Sequence, residues 1–172
     1  SQLICDVELA NTEFRHWRES FNKTLKTEYA RAPHFAPTMA LIRQVVDAEL
    51  STIRDLALRS IELTCQHLGI DTELAPTSRV YANAALKGQE RILDICSREQ
   101  TTMYVNPIGG RELYDHAAFA ARQVQLRFIE TLPYTYSQFG KPFQPNLSMI
   151  DVLMFAGVDG ARQLLESYRL VE

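Results

Sequence analysis

Leu3, Cys5, Val7 and Leu9 alternate with Asp6 and Glu8, a period of two broken by Ile4, which predicts a strand over residues 3–9. The period then lengthens. Phe14, Trp17, Phe21, Leu25 and Tyr29 recur every three or four residues, predicting a helix over 14–32 with Thr12 as its N-cap. Pro33 stops it, because the residue before a proline is pushed out of the helical region. From Pro37 to Leu68 the helical period persists in two stripes, Leu41, Ile42, Val45 and Val46, then Ile53, Leu56, Ala57, Ile61 and Leu68. The break falls at Ser51–Thr52, since Thr52 and Asp55 have capping-box spacing, and Gly69 supplies the terminal stop.

Downstream the elements alternate. Residues 70–75, 101–106 and 125–130 read as strands, residues 86–98 and 111–123 as helical segments, and residues 148–155 as a helix stopped at Gly157. Asp159 then caps a last helix over 160–168. Helices of this length between short strands imply crossover connections. The expectation is therefore a single α/β domain over residues 1–172, a mainly parallel sheet with helices on both faces.

Composition narrows the partners. The 172 residues carry a formal net charge of −3 with a pI near 5.8, which argues against a phosphate-neutralising face for nucleic acid. Apolar runs stay far below the roughly 20 residues of a membrane span, so no membrane span is expected. Cys5, Cys65 and Cys96 are widely spaced, forming neither a disulfide framework nor a CxxC pair, and fit a reducing cytoplasm. His16, His34, His67 and His116 form no HExxH pattern, and no G-x-S-x-G elbow is present. No metal or cofactor is indicated.

Five segments hold candidate chemistry, each with a plainer reading beside it. Asn106-Pro107-Ile108-Gly109-Gly110 follows a predicted strand and precedes a helix starting at Arg111. That order suits a phosphate cradle with Arg111 as an added cation, or a tight turn whose glycines supply positive φ. Tyr114 is a hydrogen-bond donor for a sugar hydroxyl or leaving group, or a packed ring beside the helix-capping Asp115. The run from Pro133 to Gly140 offers aromatics and Gln138 to a ligand, or a lid whose backbone Gln138 ties down. Ser148 and Asp151 have capping-box spacing, which alone explains both. Ser78 and Arg79 after a predicted strand, with Lys87 ahead of the next helix, can contact a phosphorylated ligand or serve as ordinary loop donors and solvated cations.

The run from Thr101 to Gly157 also carries a family pattern. Tyr104, Asn106, Gly109, Gly110, Leu113, Tyr114 and Asp115, then Tyr134, Gln138, Phe139, Phe143, Pro145, Ser148, Asp151 and Gly157, resemble the WbqC-like proteins. Upstream, Leu68, Gly69, Thr77, Ser78, Lys87, Gly88, Glu90 and Arg91 extend the likeness. Members open with a Met-Gln-Pro-Tyr segment whereas this chain starts at Ser1, so the expectation is part of a larger family domain. An uncovered face at the missing segment would favour a homo-oligomer. The resemblance implies bacterial surface-polysaccharide (O-antigen) biosynthesis and a cytoplasmic transferase acting on a small-molecule substrate, a nucleotide-linked amino sugar, by acyl or aminoacyl transfer. Alternatives are a non-catalytic nucleotide-sugar or partner-binding module, and a glycosyltransferase. On this reading Asn106, Gly109, Gly110 and Arg111 hold the anion with Ser78, Arg79 and Lys87. Tyr114 and Gln138 orient the substrate, and Tyr114 and Asp151 are the candidate catalytic groups.

Overall fold

The computed structural model describes residues 3–140 and 142–172. The chain divides into two compact units, Ser1–Leu74 with Tyr134–Leu165, and Ala75–Pro133 with Glu166–Glu172.

The first unit is helical. Its helices are α1 (Asn11–Tyr29), α2 (Phe35–Val46), α3 (Ile53–Leu68) and α6 (Met149–Leu165). The alternating residues 3–9 do not form a strand: Ile4–Asp6 make a 3-10 turn, and only Glu8 bridges to Thr52. Their one extended neighbour is the α2–α3 connection, so the pairing ends after Leu9 N–H to Ser51 O and Ile53 N–H to Val7 O. Helix α1 starts at Asn11 behind an uncapped Ala10, which places Thr12 inside the helix rather than at its cap. Pro37 lies in the first turn of α2, where its missing N–H costs no intrahelical bond.

Helix α3 follows the sequence pattern closely. Thr52 Oγ1 accepts from Asp55 N–H at 3.2 Å, and Asp55 Oδ2 accepts from Thr52 N–H at 3.2 Å. Gly69 closes it at φ 66°, ψ 36°. Residues 70–75 have no strand partner and run irregularly, with Ile70 packed on the core. That core has two parts, one around Leu25, Met39, Val46 and Met154, the other around Leu41, Leu68, Val152 and Leu153. Burying each such side chain contributes about 1.5–3 kcal/mol. Gly157, at φ 66° and ψ −168°, is non-helical and divides α6 into two helical stretches, so the expected stop at this glycine holds. Its φ of 66° suits glycine, and the His34 imidazole fills the space a Cβ would take, 2.7 Å away at its nearest atom. The second stretch, expected over 160–168, ends at Leu165.

The second unit mixes helix and sheet. It holds α4 (Gly88–Arg98), β1 (Met103–Pro107), a 3-10 segment Ile108–Leu113, α5 (His116–Ala120), β2 (Gln125–Thr131) and β3 (Tyr168–Val171). The strand order is β1-β2-β3, β1 parallel and β3 antiparallel to β2. An α/β class stands, and among the described strands one of two pairings is parallel. Leu126 and Phe128 alternate inward from β2 onto Leu93 and Cys96 of α4 and Phe119 of α5.

Candidate functional site

Each unit assembles a cluster of two tyrosines and an amide. In the helical unit the centre is Asp151, in the first turn of α6 and 4% exposed. Tyr29, in the last turn of α1, donates its hydroxyl to Asp151 Oδ1 at 2.9 Å. From the segment ahead of α6, Tyr136 donates to Oδ2 at 2.7 Å and Gln138 Nε2 donates to the same oxygen at 2.8 Å. Gln138 also closes its own loop, donating to Gln144 O and accepting from Gln144 N–H. Gln138 thus ties down its own loop and also holds the Asp151 carboxylate, because its amide has enough donors and acceptors for both.

This arrangement corrects the capping-box reading of Ser148 and Asp151. Ser148 Oγ does accept from Ile150 N–H at 3.2 Å, but Asp151 does not reach back to the backbone. Both its oxygens are taken by donors from elsewhere in the chain. A buried carboxylate satisfied only by one amide would keep much of its desolvation cost, and three convergent donors offset it. The donors respond in turn: burial, and then the bond to Asp151, push Tyr29 up to about 12 and Tyr136 likewise to about 12. Both phenols stay protonated donors at neutral pH. An ionised carboxylate has about four lone-pair sites. Three are used here, leaving one acceptor position on Oδ1.

Rings extend this cluster. Tyr136 meets Phe143 edge-on at 5.1 Å, Tyr29 meets Phe155 at 5.9 Å, and Phe155 meets Phe139 at 4.7 Å. The Arg31 guanidinium sits 5.3 Å over Phe139, a cation on an aromatic face.

In the sheet unit, Asn106 at the carboxyl end of β1 donates through Nδ2 to the hydroxyls of Tyr104, at 2.6 Å, and Tyr114, at 3.2 Å. The two hydroxyls are 3.2 Å apart. Tyr104 stacks on Phe119, and Tyr114 meets Phe119 edge-on. Burial, then Tyr114 beside it, push Tyr104 up to about 12. The Tyr114 ring thus packs on Phe119 while its hydroxyl bonds within the cluster to Asn106 and Tyr104. Asp115 caps α5 by accepting from Ala117 N–H at 2.9 Å.

The glycine turn differs from its expected form. Neither Gly109 nor Gly110 has positive φ, so left-handed backbone is not their reason. Gly110 permits a close approach: its Cβ would lie 2.6 Å from Asn106 Oδ1. Gly109 faces open space. Arg111 belongs to the 3-10 segment rather than opening an α-helix, and contributes with the nearer Arg169 to holding the Glu130 carboxyl below its usual range.

Ser78 sits in a different network of the same unit. Its hydroxyl accepts from Arg91, which donates to buried Asn83, whose amide donates to Asp94. Arg79 N–H donates to Thr77 Oγ1, and Lys87 immediately precedes α4.

Sequence reasoning missed Tyr29, Tyr104 and Tyr136 as site residues. Tyr104 was detectable, since it and Asn106 are two apart on one strand and share a face. Tyr29 carried no local signal, lying 122 residues from its partner. Among the described residues, no three His, Cys, Asp or Glu side chains converge as metal ligands, and no helix is long and apolar enough to cross a membrane.

These features define an α/β protein carrying polar clusters of tyrosine and amide, one of them built on a buried carboxylate. A family model, described as the WbqC-like protein family, matches residues 1–163. The chain belongs to that family. Neither the curated proteins nor the solved structures include a match.

Proposed function

We propose that this WbqC-like protein is a cytoplasmic transferase of bacterial surface-polysaccharide (O-antigen) biosynthesis, moving an acyl or aminoacyl group onto a nucleotide-linked amino sugar. The observation that carries the reading is the buried Asp151 carboxylate held by Tyr29, Tyr136 and Gln138, beside a loop of aromatic and amide side chains. Such a carboxylate suits an amine acceptor. As the amine nitrogen bonds to the acyl carbon and the bond to the leaving group breaks, Asp151 takes the nitrogen's proton and later returns it to the leaving group or solvent. Tyr29, Tyr136 and Gln138 hold the carboxylate in register, and Arg31 on Phe139 offers a cation for the donor or for a nucleotide phosphate.

A non-catalytic nucleotide-sugar module is the second reading. It is favoured by the Tyr104–Asn106–Tyr114 cluster, whose groups bond one another with no carboxylate among them. Turnover of an amino sugar linked to a nucleotide, compared in the parent, Asp151→Asn and Tyr114→Phe proteins, separates the two. The transferase reading expects Asp151→Asn to lose activity by 100-fold or more, on the order of general-base contributions, while nucleotide-sugar binding persists. Full activity in a folded Asp151→Asn protein would overturn it.

A further inference from the structure

The helical unit contains a cavity of about 210 Å³ among α1, α2, α3 and α6, separate from the Asp151 donors. Val45, Val46 and Leu153 in its wall are nearly inaccessible, whereas Phe21, Leu56, Ser60 and Thr64 are half-buried and Trp17 is exposed, so it is a recess that reaches into the core and opens to solvent. No charged side chain lines it; its polar contribution comes from the hydroxyls of Thr38, Ser60 and Thr64. Its open side carries Trp17, 45% exposed, stacked between Phe14 at 5.4 Å and Phe21 at 4.9 Å.

Close-packed interiors seldom leave such space. An uncharged recess edged by hydroxyls excludes phosphate, carboxylate or ammonium inside it, because a charge buried without a partner is costly. An apolar chain ending in one hydrogen-bonding group fits. Engineered apolar cavities near 150 Å³ admit benzene, so by proportion this one takes about eight carbons.

We infer that this recess binds a short linear acyl or alkyl chain of up to about eight carbons, its polar end toward Ser60 and Thr64 and its methyl end toward Leu153. The inference rests on the cavity's size, lining and opening, and stands whether or not Asp151 is catalytic.

Trp17 is the chain's single tryptophan, which makes it a built-in reporter. Straight-chain alcohols and fatty acids of four to ten carbons would be titrated while its emission is followed. The expected result is a saturable change, with affinity rising about fourfold per methylene and levelling near eight carbons. Alcohols should bind at least as tightly as the acids. In Val45→Phe or Ser60→Leu, each of which fills part of the space, the change should disappear while the melting temperature is kept. The inference is overturned by a flat response from the folded parent protein, by affinity that climbs past ten carbons without levelling, or by an unchanged response in a folded filled variant. Concentration-dependent self-association that abolishes the alcohol response would also overturn it, giving the recess to a second copy of the chain.

Discussion

The two polar clusters use nearly the same side chains, a pair of tyrosines and one amide each, and differ by a single group. Tyr29, Tyr136 and Gln138 surround the Asp151 carboxylate, whereas Tyr104, Tyr114 and Asn106 bond only to one another. Hydrogen bonds to a charged group are worth about 1.5–3 kcal/mol and neutral ones about 0.5–1.5. The helical cluster therefore gains more per hydrogen bond and suffers more when a partner is lost. It also joins α1, the loop before α6 and α6 itself. The sheet cluster joins residues no more than ten apart.

The sharpest way to break this contrast is Asp151→Ala. It strands three neutral donors at once, and at about 1–3 kcal/mol for each buried donor left unsatisfied we expect a loss of about 3 kcal/mol or more, read by urea unfolding. Asn106→Ala should cost about 1–2 kcal/mol, since its bonds are neutral. Equal losses would mean the carboxylate is no more costly to abandon than an amide.

Next come the glycines. Gly157→Ala adds a Cβ against His34 at a residue with φ 66°, and about 1–3 kcal/mol should be lost. Gly110→Ala meets Asn106 Oδ1 without backbone strain and should cost less, while Gly109→Ala, in open space, should stay within about 0.5 kcal/mol. Thermal unfolding of the three proteins gives the order.

Alkaline titration separates the clusters by number. Of seven tyrosines, Tyr29, Tyr104 and Tyr136 are pushed up to about 12 from the ordinary 10. In that window the unfolded chain gives up protons that the folded chain keeps. Their stabilisation is thus complete below about pH 10 and is lost as pH rises through about 12. Phenolate absorbance should show a late-titrating class, and Asp151→Asn should draw Tyr29 and Tyr136 down while leaving Tyr104 in place. The smallest effect belongs to the exposed Arg127–Glu172 pair, where Glu172→Gln should change stability by less than about 1 kcal/mol.

Local chemistry was legible where the deciding partners lie within a few residues. The Thr52–Asp55 box, the Gly69 stop, the Asp115 cap and strands β1 and β2 all follow from their own short segments. Residues 3–9 misled because a period of two states which face is apolar but not whether a neighbouring strand exists. Tyr168 misled in the opposite sense: a helical continuation was plausible until β2 offered its free edge to residues 168–171.

The candidate site divides along the same line. Gln138, Tyr114, Asn106 and Asp151 could be nominated from the sequence because amides, phenols and carboxylates in turn-rich segments, along with the family pattern, mark them out. Which of them share a cluster could not. Ser148 and Asp151 have the spacing of a cap, and by spacing alone Asp151 belongs to the backbone. Only the tertiary structure brings Tyr29, Tyr136 and Gln138 to that carboxylate, and three directed donors stabilise a buried charge better than one local amide. The sequence by itself determined the helices, their local caps, the β1–β2 segments and the family. The fold decided the partners, because the energy of a buried polar group depends on every donor within reach, however distant in the chain.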